Sequence, residues 1–258
     1  MKIDELLEKK FIVVTGKGGS GKSLTALALA HRLSSEGKRV LLVELGRKRD
    51  QTFTRLPELV GLKKASHEPV EVKLPKSDQK IYLSVLDPTT SLAEYVEMKL
   101  PLGAFAGLLL NNRVTASFLE VVPGLPDLVS LGKLWHAVTQ PNPKTGPDVV
   151  VLDAPATGHA LALLQAPANF KRITKVGPIY KDSKVMTEFF SDEKQTAIVL
   201  TTLPEEMSLK ETAELKKSMG KNLPTPFVIV NRKFPELKEV AGEEKDSVDR
   251  KSTRLNSS

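Results

Sequence analysis

Six short apolar runs punctuate the chain: FIVV at 11–14, VLLV at 40–43, IYLSVL at 81–86, VVVL at 149–152, AIVL at 197–200 and FVIV at 227–230. Their apolar positions are continuous rather than alternating. That is the pattern of strands covered on both faces, as in a parallel sheet. Helical periodicity separates them. Leu24, Leu27, Ala28 and Leu33 recur at helical spacing across 23–35, ahead of Gly37, and 207–219 repeats the pattern up to Gly220. Strands alternating with helices build βαβ units, so the pattern predicts an α/β fold with a doubly wound, mostly parallel sheet.

Two stretches break the alternation. Residues 89–138 hold about three apolar helical stretches, punctuated by Pro101, Pro123, Gly124 and Pro126. They predict a helical subdomain, about 89–140, inserted on one edge of the sheet within a single domain of 1–248. Residues 61–80 are polar and lysine-rich and read as a mobile connection. Beyond Pro235 acids and bases alternate and no element is predicted. The last ten residues, DRKSTRLNSS, read as the translation of a common sequencing-library adapter. The natural sequence is therefore expected to stop near Val248, and 249–258 are set apart from the fold.

Composition narrows the chemistry. The 258 residues are 40% hydrophobic, enough for a sizeable core, and contain no cysteine. Disulfides, thiolate zinc sites and cysteine-bound iron–sulfur clusters are excluded, which fits a reducing compartment. The N-terminus MKIDELLEKK has no apolar h-region, and the longest apolar run, 102–110, is too short to span a bilayer. The expected location is cytoplasmic. The net charge is +7, of which the suspected tail supplies two. Such a charge suits nucleic acid or an anionic membrane surface, but no basic run carries interleaved aromatics, so nucleic acid is not the expected partner.

The chemistry concentrates in GKGGSGKS, which follows the first strand and opens the first helix. It fits the phosphate-binding pattern G-x-x-x-x-G-K-[ST]. Gly16, Gly18, Gly19 and Gly21 let the backbone wrap tightly around Ser20 and aim its N–H groups at phosphate oxygens. The N-terminus of the following helix, from Lys22 through Ser23 and Leu24, adds positive potential. Lys22 is expected to reach the β- and γ-phosphates of ATP, and the Ser23 hydroxyl to ligate Mg²⁺. Asp153, at the end of a strongly apolar strand, is expected to accept from Mg²⁺-bound water. Lys17 is surplus to the pattern. It is either a second phosphate cation or an ordinary exposed lysine. Asn231, at the end of the last strand, carries an amide suited to adenine, and a strand-end Asn also commonly forms a turn.

These motifs resemble a known family. The lysine at Lys17 resembles the signature of the deviant phosphate loop KGGxGK[ST], shared by the ArsA/Get3, MinD and ParA ATPases and the nitrogenase iron protein. DAPATGH at 153–159 resembles the DTAPTGH switch II motif of the ArsA/Get3-type anion-transporting ATPases. TLPEEMSLKETAEL at 202–215 and VIVNRKFP at 228–235 resemble two further conserved regions of that family, in the same order. The likeness runs from about Phe11 to Pro235 and is closest to compact bacterial members. It implies an ATPase in which two subunits face each other across two nucleotides. Lys17 would reach the partner's phosphates and neutralise charge in trans, Asn231 would read adenine, and closure would act on a protein client or a membrane partner.

The sequence departs from that pattern in two places. The family's switch I Asp, which orients the attacking water, aligns with Gly46; Glu44 and Asp50 are the nearest carboxylates, so hydrolysis is expected to be slow. A cysteine clamp or metalloid site cannot form. Leu100, Leu102, Phe105, Leu108, Leu109, Phe118 and Leu119 either line a client groove or simply pack, and Trp135 is expected in the core. His159 lies in switch II; His31, His67 and His136 have no ligand spacing. Three rival readings stay open: a MinD/ParA-type positioning ATPase, a P-loop enzyme acting on a small molecule, and a nucleotide-binding module with little hydrolysis.

Overall fold

The computed structural model describes residues 3–46, 55–74, 79–99, 122–220 and 222–233. Its sheet has seven strands: β1 (Phe11–Gly16), β2 (Val40–Leu45), β3 (Val70–Lys73), β4 (Lys80–Leu86), β5 (Val149–Asp153), β6 (Thr196–Thr202) and β7 (Phe227–Val230), in the order β3-β4-β2-β5-β1-β6-β7. All neighbours are parallel except β3, which runs antiparallel to β4. The six strands read from apolar runs are all present. Every residue of β1, β5 and β6 is buried, which is why no alternation marked them.

Seven helices connect the strands among the described residues: α1 (Lys22–Ser35), α2 (Leu56–Leu59), α3 (Pro88–Lys99), α4 (Leu125–Thr139), α5 (Thr157–Thr174), α6 (Gly177–Ser191) and α7 (Glu206–Met219). A 3₁₀ turn at Ile3–Glu8 precedes β1. Period-two alternation along the strands splits the core into two layers. Ile12, Val14, Val149, Val151 and Val199 face Ala26, Leu29, Ala30 and Leu33 of α1. Phe11, Val13, Val150, Leu152, Ile198 and Leu200 face the opposite layer, built from α4, α5, α6 and α7. Helices on both faces make the fold doubly wound.

The segment 61–80 corrects the sequence reading, because it is not a bare connection. Its VEVK forms edge strand β3, with Glu71 opposite Tyr82 and Lys73 opposite Lys80. Only Val72 of the four is buried, and an edge strand with one covered residue leaves almost no apolar signal. The ion pair from Lys80 Nζ to Glu71 Oε1, 2.8 Å, closes the ladder. Within the 89–140 region, α3 and α4 are helical. Leu125, Leu128, Leu131 and Leu134 of α4 join the core of the central strands, and Trp135 packs against it half-buried. Leu100 and the apolar residues from Leu102 to Leu119 lie outside the described residues, as do Asp50 and everything beyond Lys233.

Candidate active site

The carboxyl ends of β1, β2 and β5 meet at the middle of the sheet, where the strand order reverses. Open α/β sheets bind ligands there. Gly16 ends β1 against β6. A Cβ at this position would lie 2.1 Å from the Thr201 carbonyl oxygen, so the two strands can approach only with glycine. The loop then turns through Ser20, fully buried, whose hydroxyl donates to the Lys17 carbonyl at 2.8 Å. Gly21 sits at φ 93°, a left-handed value that costs other residues strain.

α1 starts without a cap. No side chain hydrogen-bonds its first N–H groups, and no acid lies in its first turn. Four amide donors and the positive end of the helix dipole are thus left for an anion. The Lys22 ammonium folds over the loop to the Lys17 carbonyl, 3.3 Å away. Partial burial lowers its pKa, while Asp153 opposes that shift. Leu24, in the same first turn, is 58% exposed.

Asp153 closes the other side. It pairs in register with Val14 of β1 and Glu44 of β2, and is only 6% exposed. The Ser23 hydroxyl donates to its carboxylate, and Oδ1 is buried with no hydrogen-bond partner. Burial pushes its pKa up to about 6; Glu44 adds to the rise, and Ser23, Lys22 and Arg55 oppose it. A buried anionic oxygen without a donor, beside a hydroxyl, is a hard-oxygen pair that suits Mg²⁺. Thr15 ties β1 to the segment after Asp153 by donating to the Pro155 carbonyl at 2.7 Å. His159 follows in the first turn of α5, and its charge bears on Asp127 at the start of α4.

Three placements go beyond the sequence reading. First, Lys17 donates to Glu211 Oε1 of its own α7 at 2.8 Å, with both side chains about two-fifths exposed. Second, the Asn231 amide is used by the loop itself: Nδ2 donates to the Ser20 carbonyl at 2.9 Å, and Oδ1 accepts the Arg232 N–H at 2.9 Å. Its Nδ2 would stand 2.2 Å from a Cβ on Gly21, so the loop and β7 fit only with glycine there. Third, Glu44 accepts the N–H groups of Arg55 and Leu56 at 3.1 and 3.0 Å, one on each oxygen. Burial raises its pKa and these two bonds oppose the rise. Arg55 is the site residue that sequence reasoning missed; a lone arginine before Leu-Pro carries no signal until Glu44 is seen beneath it.

Gly46 continues the β2–β4 ladder, donating its N–H to the Leu86 carbonyl at 2.8 Å, and a Cβ there would lie 3.0 Å from that oxygen. Away from the loop, His67, Glu68 and Glu94 gather their ligand atoms. Lys133 fills that cluster, 2.6 Å from His67 Nε2 and 2.7 Å from Glu94 Oε2. His67 Nδ1 already accepts the Asp87 N–H, so Nε2 of the neutral ring is the protonated nitrogen.

A glycine loop, an uncapped helix, a lysine and a buried carboxylate bonded to the loop serine together form a nucleotide-phosphate site. Comparison with known proteins agrees. The family profile for anion-transporting ATPases matches residues 9–181 and 171–253. The chain belongs to that family. ATPase BagA of Mycobacterium tuberculosis is 31% identical over 250 residues, covering 94% of this chain and 71% of that protein. ATPase asna-1 of Caenorhabditis elegans is 27% identical over 274 residues, covering 89% and 77%. The arsenical pump-driving ATPase of Escherichia coli is 24% identical over 252 residues, covering 87% of this chain and 40% of that protein. As a member of the anion-transporting ATPase family, the protein is an ATPase. No helix among its described residues is long and apolar enough to cross a membrane.

Proposed function

We propose that this ATPase is a nucleotide-gated dimer, in which Mg²⁺-ATP closes two copies on each other and hydrolysis or release reopens them to act on a protein client or membrane partner. One observation carries the reading: Lys17, unneeded by its own loop, stands at the surface in a solvent-exposed ion pair with Glu211. Exposed pairs of this kind are weak, roughly 0–1 kcal/mol, so Lys17 is readily released toward a second subunit's phosphates.

The phosphates of ATP lie along the loop amides of residues 16–23. The α1 N-terminus and Lys22 hold the β- and γ-phosphates, and the Asn231–Ser20 bond keeps the loop taut beside the base. Ser23 and Asp153 would hold Mg²⁺, which supplies charge neutralisation at the transferring phosphoryl group. Glu44 keeps one free lone pair on each oxygen and is the carboxylate nearest to orienting water. The tight fit of Gly46 against Leu86 leaves no room for an orienting Asp there, which supports slow turnover. The same fit favours the second reading, a nucleotide-binding module with little hydrolysis.

The test is light scattering on protein ending at Val248, with Mg²⁺-ADP-aluminium fluoride. Wild type should double its mass and Lys17→Ala should not. A monomer with nucleotide demonstrably bound would exclude the trans-acting lysine.

A further inference from the structure

We propose that Arg55 is a cis-acting arginine of this site, held by Glu44 at the carboxyl end of β2 so that its guanidinium meets the γ-phosphate of bound ATP. The proposal rests on the ATPase reading and adds a residue to it.

The geometry fixes the arginine from two sides. Glu44 lies opposite Asp153 on adjoining strands, and its two oxygens take the N–H groups of Arg55 and Leu56. A carboxylate accepting two amides at a helix start is a strong, directional tether. One residue on, Leu56 is fully buried in the α1-side core with Leu29 and Leu33, and Pro57 is buried beside it. Burial of that leucine contributes about 1.5–3 kcal/mol to the anchor. The Arg55 backbone is thus rigid at the mouth of the phosphate site, while its side chain is exposed and has no hydrogen-bond or ion-pair partner among the described residues. Its charge is felt at Lys22, Asp153 and Glu44 alike, placing the guanidinium among the groups that would surround the phosphates.

A free, pre-anchored arginine there has one chemical use that Lys22 cannot fulfil. In hydrolysis the water oxygen bonds to the γ-phosphorus, the bond from that phosphorus to the β,γ-bridging oxygen breaks, its electron pair leaves on ADP, and the water proton ends on inorganic phosphate. Negative charge shifts toward the bridging and γ-oxygens as this happens. A planar guanidinium can span two of them at once, and an ammonium cannot. With the switch I aspartate position held by Gly46, the site is short of groups that act on the transition state, and Arg55 supplies one.

The experiment compares wild type, Arg55→Ala, Arg55→Lys and Glu44→Gln, with unchanged thermal melts as the folding control. Mg²⁺-ATP kinetics are measured alongside fluorescent ADP affinity and retention of Mg²⁺-ADP-aluminium fluoride. Arg55→Ala should lower kcat on the order of 100-fold and speed loss of the fluoride complex by a similar factor, with KM and ADP affinity within about 3-fold. Arg55→Lys should recover only part of both, and Glu44→Gln should fall between. Equal kcat and equal fluoride retention in Arg55→Ala would overturn the assignment while leaving the ATPase reading intact. A wild type that binds no nucleotide would overturn both.

Discussion

Asp153 makes a demand on the fold that its replacement should relieve. Its carboxyl titrates at about 6 instead of 3.8, about 2 units, and each unit is worth about 1.4 kcal/mol. The folded state therefore binds the proton more tightly than the unfolded chain. The resulting cost is fully present above the folded pKa, shrinks as pH falls through it, and vanishes below the unfolded value. Without metal or nucleotide, ionised Asp153 destabilises the protein by about 3 kcal/mol at pH 7.5, about half that at pH 5, and well under 1 kcal/mol near pH 4. Asp153→Asn removes the charge and keeps an acceptor for Ser23, but its new amide donors need partners. The expected gain is about 1–3 kcal/mol at pH 7.5, a rise of roughly 2–4 °C in Tm per kcal/mol for a chain of this size. Urea unfolding in EDTA, at three pH values, measures it. A variant no more stable than wild type at pH 7.5, or a gain that does not shrink toward pH 4, would refute the argument. The same variant should lose ATP hydrolysis, so stability and activity move in opposite directions.

Other outcomes follow from single contacts. Glu211→Gln should free Lys17 and tighten the nucleotide-dependent dimer by up to about 5-fold, since exposed pairs are worth about 1 kcal/mol at most; sedentary affinity in sedimentation runs would count against a cis restraint. Gly21→Ala forces a side chain into φ 93° and within 2.2 Å of Asn231 Nδ2, and should cost about 1–3 kcal/mol in thermal melts and most nucleotide affinity in titrations. Asn231→Ala leaves the Ser20 carbonyl without its amide and should raise KM for ATP on the order of 10-fold, with guanine and adenine nucleotides weakened alike if the loop contact dominates.

Much of this protein was legible in one dimension because its information is local. A strand buried on both faces is an unbroken apolar run, and six of the seven strands announced themselves that way. The phosphate loop is eight consecutive residues, and Asp153 ends a run of four aliphatics. Edge strand β3 escaped because only Val72 needed burial. What the tertiary structure decided are pairings between residues far apart in the chain. Asn231 meets Ser20 across 211 positions, and Lys17 meets Glu211 across 194. Neither pairing has a period or a motif, since each exists only because β7 and α7 are wound back beside the loop. Arg55 belongs to the same class: its role depends on Glu44 standing beneath it and on Leu56 reaching the core, and those facts arise only when the sheet is assembled.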